Sequence, residues 1–241
     1  MVQPLLDNLR ALTRSVAQAL GGASVDQPGL TGSVSSKFDR FLNQLFASPS
    51  FPPQDAVAAL GGRPGFVWLA GKPRAEELGG LQLLEMSGMT ATTAAAPAER
   101  TPPQREIDEV RSREDLDGWF GVYSEVFGAD PNARQEWARI SEVLGPEGEG
   151  SLLLLLARVN GMPAATGAAF FRPDDAGLYC FTTLEPMRRR GLGSGLVRAC
   201  HAAARERGIE HAVLQATGAG RRVYARIGYR EDQSFHLLRP S

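Results

Sequence analysis

The chain has 241 residues, 43% of them hydrophobic, which is enough for one large domain or two small ones around a packed core. Its 26 Lys and Arg against 27 Asp and Glu give a formal net charge of -1, which speaks against a general nucleic-acid or membrane-surface binder and makes any basic cluster a local feature. Two cysteines in apolar segments, Cys180 and Cys200, lack metal-ligand spacing, so neither a disulfide framework nor a zinc site is expected, and a cytoplasmic location is.

Leu5, Leu9, Leu12, Val16 and Leu20 recur at spacings of three and four, a helix that Gly21-Gly22 ends. Asp7, Asn8 and Arg10 interrupt the apolar core that a secretory leader needs, and the longest apolar run, Leu152 to Ala157, falls far short of the ~20 residues that span a bilayer. Phe38, Phe41, Leu42 and Leu45 predict a second helix, Phe66 to Gly71 a short buried strand, and Met86 to Thr92 another. From Thr90 to Pro103 the composition turns to Thr, Ala and Pro, as in a linker, which divides the chain into units of 1–95 and 104–241. Beyond it, Leu116 to Phe127 and Gln135 to Leu144 have helical spacing. Leu152 to Val159, Asn160-Gly161 and Ala164 to Phe171 predict a hairpin, because Asn-Gly suits the positive φ angles of a type I′ turn. A strand at Gly177 to Thr183, a helix at Ser194 to Arg207, a strand at Ile209 to Ala216, a helix at Gly220 to Ile227 and a strand at Phe235 to Leu238 complete the order.

The chemistry concentrates where the Thr183 strand runs through Arg188-Arg189-Arg190-Gly191-Leu192-Gly193-Ser194 into a helix. Glycines let backbone N–H groups approach an anion, the helix adds the positive end of its dipole, and arginines add charge: the pattern reads as a pyrophosphate cradle. A dinucleotide-binding fold fits less well, since its third glycine would come one residue later and a βαβ unit, not a hairpin, would precede. No lysine follows the glycines as a phosphate-binding loop of the Walker type requires.

Two motifs, Arg188-Arg189-Arg190-Gly191-Leu192-Gly193 and Val223-Tyr224-Ala225-Arg226-Ile227-Gly228-Tyr229, with the order of elements around them, resemble the GCN5-related N-acetyltransferase superfamily over roughly Ile107 to Leu238. The resemblance implies a mixed α/β fold, a mostly antiparallel central sheet with splayed strands flanked by helices, and acetyl-CoA as co-substrate. It implies that Phe181, Thr182 and Thr183 lie along the pantetheine arm, that Arg188, Arg189, Arg190, Gly191, Leu192, Gly193 and Ser194 hold the pyrophosphate, and that Thr217 stands where many members have a cofactor-contacting asparagine. Residues 1–95 resemble the leading lobe of some two-lobed acetyltransferases, a degenerate unit without a phosphate motif. Tyr224 matches the tyrosine that protonates the departing thiolate, and the backbone N–H of Thr183 or Leu184 is the expected oxyanion donor.

For the general base the residues leave two candidates, Glu185 and Glu125, each also readable as a surface carboxylate. Cys200 and His201 are adjacent on a helix and do not face each other, so they are read as structural. The expected acceptor is a small-molecule or peptide amine; its identity and the oligomeric state stay open. The competing reading is a protein that binds acetyl-CoA without catalysing transfer.

Overall fold

The computed structural model describes residues 3–69, 71–94 and 105–239. Helix α1 (Gln3–Leu20) buries Leu5, Leu9 and Val16, and Gly21 at φ 67° ends it. Strands β1 (Ala23–Gln27) and β2 (Leu30–Val34) form a hairpin across Pro28-Gly29 that hydrophobic periodicity did not mark. The predicted second helix is instead one 3₁₀ turn, Arg40–Leu42, running into β3 (Asn43–Ala47). A four-residue apolar pattern fits either period, and here tertiary pairing decides: every residue of β3 is buried, between β2 and the parallel strand β4 (Phe66–Leu69). Short helices α2 (Pro53–Ala58) and α3 (Ala75–Leu78) lie in the connections, and β5 (Gln82–Thr92) begins four residues before the expected strand. Of the expected linker, residues 95–103 lie outside the described residues.

Then follow β6 (Arg105–Glu109), α4 (Arg113–Phe127), α5 (Ala133–Leu144), β7 (Leu152–Val159) and β8 (Met162–Phe171). Asn160 at φ 52° and Gly161 at φ 76° make the turn that their sequence predicts. The chain ends with β9 (Ala176–Thr183), α6 (Leu192–Glu206), β10 (His211–Ala216), α7 (Gly218–Ala225) and β11 (Arg230–Arg239).

All strands join one open sheet of order β1-β2-β3-β4-β11-β5-β10-β9-β8-β7-β6, antiparallel except at β3–β4 and β9–β10. The two parallel pairs are built alike, and each is flanked by an antiparallel strand from the other half of the chain: β11 lies on β4 and β5 on β10. Helices cover both faces, which is why β7 is a continuous leucine run and not an alternating one. Leu152, Leu154 and Leu156 pack with Trp119, Tyr123, Trp137 and Val16 on one side, while Leu153 and Leu155 pack with Leu192, Leu196 and Cys200 on the other.

A buried carboxylate ties the N-terminal segment to this core. The Asp39 carboxylate, 1% exposed, accepts from the Tyr123 hydroxyl and the Trp137 indole, each at 2.8 Å, and from the Phe41 N–H at 2.9 Å. Burial raises its pKa against the pull of those donors. Trp68 is a core residue whose Nε1 donates to Gln44 Oε1 at 2.6 Å.

Candidate active site

Strands β9 and β10 pair only through Ala176–Leu178 and Ala212–Leu214, then part, although β9 runs on to Thr183 and β10 to Ala216. The parted ends open a cleft of about 680 Å³. Phe181, Thr182 and Thr183 form one wall, the turn from Met187 through Arg188, Arg189, Gly191 and Leu192 to Gly193 and Ser194 the floor, and α7 the other wall.

The floor is a helix start built for an anion. Gly191, at φ 75°, caps α6 without a side-chain hydrogen bond, and the Gly195 N–H is the first to reach back, to Gly191 C=O at 3.0 Å. The N–H groups of Leu192, Gly193 and Ser194 therefore have no helical partner. A Cβ placed on Gly193 would meet no protein atom within 4 Å, so that position borders open space. Arg189 takes the left-handed region at φ 59°, a conformation costing a non-glycine residue about 1–2 kcal/mol. Arg188 donates from Nε to the Thr183 carbonyl at 3.3 Å.

Strand β9 also carries a non-glycine residue in this region. Cys180 sits at φ 56°, where the ladder passes from Thr166↔Thr182 to Ala168↔Tyr179 and leaves Cys180 and Phe181 together opposite Gly167. Above this bulge the Leu184 N–H donates to Ala164 C=O at 3.0 Å, so Leu184 is occupied. By the alternation of an antiparallel ladder, Thr183 then turns its N–H and C=O to the opposite edge, where β10 has moved away. Of the two backbone groups read as oxyanion donors, only Thr183 is free to serve.

On the α7 wall, Tyr224 is half-buried, its ring edge-on to Phe181 at 6.5 Å and to Tyr229 at 5.8 Å. Gly220 makes room for it: a Cβ there would lie 3.1 Å from the ring. The Tyr224 hydroxyl has no hydrogen bond to the described residues, and burial raises its pKa, so it holds its proton at neutral pH.

Two of the residues singled out by sequence stand apart from the cleft lining. Arg190 is exposed, and Thr217 caps α7 by accepting from the Gly220 N–H at 3.3 Å. Sequence reasoning passed over Val223 and Arg226, which line the α7 wall beside Tyr224. Their signal was an apolar and a basic residue flanking the matched tyrosine. Neither Glu185, 86% exposed and 3.9 Å from Arg188, nor the exposed Glu125 lines the cleft, and no carboxylate among the described residues does.

Cys200 and His201 are structural. Cys200 is fully buried, and the His201 Nε2 meets the Tyr229 hydroxyl at 2.8 Å. Burial, with Arg205 nearby, lowers the His201 pKa from 6.5 to about 4. The unfolded chain therefore takes up a proton that the folded one refuses, so this contribution is complete above pH 6.5 and is lost as the pH falls towards 4. Urea unfolding should show a loss of no more than about 3 kcal/mol over that window. In His201→Gln that slope disappears; an unchanged slope would assign the acid sensitivity to another group.

A family model described as FR47-like protein matches residues 159–237, the segment that carries the cleft. The whole chain superposes on a GCN5-related N-acetyltransferase from Kribbella flavida with a TM-score of 0.69 and 18% identity, covering 100% of this chain and 97% of that one. A functionally unknown conserved protein from Staphylococcus epidermidis superposes with a TM-score of 0.64 at 15% identity, over 91% and 94% of the two chains. A GCN5-related N-acetyltransferase from Sphaerobacter thermophilus gives 0.60 at 16%, over 98% and 93%. At such identities the likeness is one of fold. No curated protein matches the sequence.

Proposed function

We propose that this protein, FR47-like over residues 159–237 and alike in fold to GCN5-related N-acetyltransferases, belongs to that superfamily and transfers the acetyl group of acetyl-CoA to a primary amine by direct attack. The observation that carries the reading is the union, in one cleft, of free helix-start N–H groups beside Arg189 with an unbonded Tyr224 hydroxyl across from Thr183. Arg188, Arg189 and the N–H groups of Leu192, Gly193 and Ser194 hold the pyrophosphate through charge-assisted hydrogen bonds. The free backbone of β9 aligns the pantetheine arm. Thr183 N–H steadies the carbonyl oxygen as the amine nitrogen bonds to the thioester carbon. As the C–S bond breaks, Tyr224 gives its proton to the sulfur, and the amine's surplus proton leaves to water, which then restores Tyr224.

With no carboxylate lining the cleft among the described residues, the acceptor enters as the free amine, and rate comes chiefly from holding it against the thioester. We read residues 1–95 as the degenerate counterpart of the catalytic half, because β2, β3 and β4 repeat the pairing of β8, β9 and β10.

Calorimetric titration with acetyl-CoA, CoA and NAD, followed by thiol release with a panel of polyamines, amino acids and peptide N-termini, tests the proposal. Saturable binding of acetyl-CoA but not NAD, with amine-dependent thiol release, supports it. Binding with no release on any amine would establish the non-catalytic reading, and no binding by folded protein would overturn both.

A further inference from the structure

The bulge in β9 sets which side chains reach the cleft. Leu178 packs with the α6 core, Tyr179 and Cys180 both pack with the α4 core, and Phe181 returns to the α6 side. Two consecutive residues on one face mark the extra residue, and a strand without it would turn Phe181 and Thr183 away from the cleft. The conformation is held from outside the site. Cys180 has no partner in the ladder, and its carbonyl oxygen accepts instead from the hydroxyl of Thr166, fully buried, at 2.8 Å. On the other side Gly167 lies under the Phe181 ring, where a Cβ would come within 3.0 Å.

We propose that Thr166 is a positioning residue for acetyl transfer: by holding the Cys180 carbonyl, its hydroxyl keeps the extra residue in β9 that aims the Thr183 N–H at the thioester. The inference rests on the acetyl-transfer reading. Thr166 touches neither cleft nor substrate and acts through Cys180. A left-handed non-glycine residue next to a functional edge persists only where its surroundings over-determine it, and here the Thr166 hydroxyl is the side-chain contact that does so, with Gly167 leaving room for the Phe181 ring on the other side.

The test uses full-length protein with ¹⁵N-labelled threonine. In the wild type the Thr183 amide resonance should shift on adding acetyl-CoA and far less on adding CoA, because only the former offers a carbonyl. In Thr166→Val, nearly equal in size but without the hydroxyl, that difference should vanish while acetyl-CoA affinity stays within about 3-fold, since the phosphate floor is untouched. With an acceptor from the amine panel, kcat should fall about 30-fold, short of the 100-fold or more that losing an oxyanion donor outright costs. Thr166→Ser, which restores the donor, should recover it to within about 3-fold. Should the valine variant fail to fold, Thr166→Cys, a weaker donor of similar size, should lower kcat about 5-fold on the same grounds.

Wild-type discrimination retained in Thr166→Val, or kcat within 2-fold of wild type in whichever of the two variants folds, overturns the assignment and leaves acetyl transfer standing. A wild-type protein that binds no acetyl-CoA overturns both.

Discussion

Gly193→Val should weaken acetyl-CoA binding by about 100-fold or more while leaving the unfolding temperature unchanged. The two halves of that result have separate causes. A Cβ at Gly193 meets no protein atom of a neighbouring element within 4 Å, and valine is a better helix former than the glycine it replaces, so the fold has no reason to suffer. The added methyls enter the space in front of the Leu192, Gly193 and Ser194 N–H groups. Loss of even two charge-assisted hydrogen bonds to a phosphate, at about 1.5–3 kcal/mol each, accounts for a factor of that size. Gly195→Val is the contrast: its Cβ would lie 2.8 Å from Ile107 Cδ1, the free end of a side chain that must shift to admit it, so it should lower the unfolding temperature only slightly and leave acetyl-CoA affinity nearly unchanged. Titration calorimetry with thermal unfolding of both variants separates the cases. Undiminished affinity in Gly193→Val would place the pyrophosphate elsewhere.

Tyr224→Phe should do the reverse, lowering kcat by about 100-fold at nearly constant acetyl-CoA affinity. General-acid assistance is worth about 10²–10⁴ in rate, and an exposed thiolate that water can protonate puts the loss at the lower end. Phenylalanine keeps the edge-on contacts with Phe181 and Tyr229 and the space over Gly220, so packing is conserved. The hydroxyl bonds to no described residue, and its removal strands no donor or acceptor in the protein. A variant that lost binding and rate together would mark Tyr224 as a packing residue of the α7 wall.

The arginine-glycine turn at the floor of the cleft was legible in sequence because the pattern is local: glycine for approach, arginine for charge and a helix start are contiguous. Gly191, Gly193 and Arg189 accordingly line the cleft where their order places them. The Cys180 bulge was not legible, since nothing in Tyr179-Cys180-Phe181 marks a left-handed residue and the Thr166 hydroxyl that holds it comes from the neighbouring strand. Thr217 shows the same limit from the other side. Its motif position suggested a contact with the cofactor and said nothing of the cap that its hydroxyl makes on α7, a local role common for threonine. In the N-terminal half, Phe38, Phe41, Leu42 and Leu45 have helical spacing, but only the turn Arg40–Leu42 is helical, and parallel pairing to β4 about twenty residues ahead makes Asn43–Ala47 a strand. Such pairing leaves no periodic trace.

The exchange of β5 and β11 between the two halves of the sheet bears on how the chain is made. Strand β4 is complete by Leu69, yet its neighbour on one side, β11, comes only with Arg230–Arg239, at the end of the described chain. A ribosome therefore releases the first strands with an open edge and must carry synthesis on from Leu69 past Arg230 before that edge is closed. Contacts so distant in sequence are slow to form, and an unpaired edge is prone to pairing with other chains while it waits. The interval between synthesis of β4 and docking of β11 is thus the period in which this protein is most in need of a chaperone.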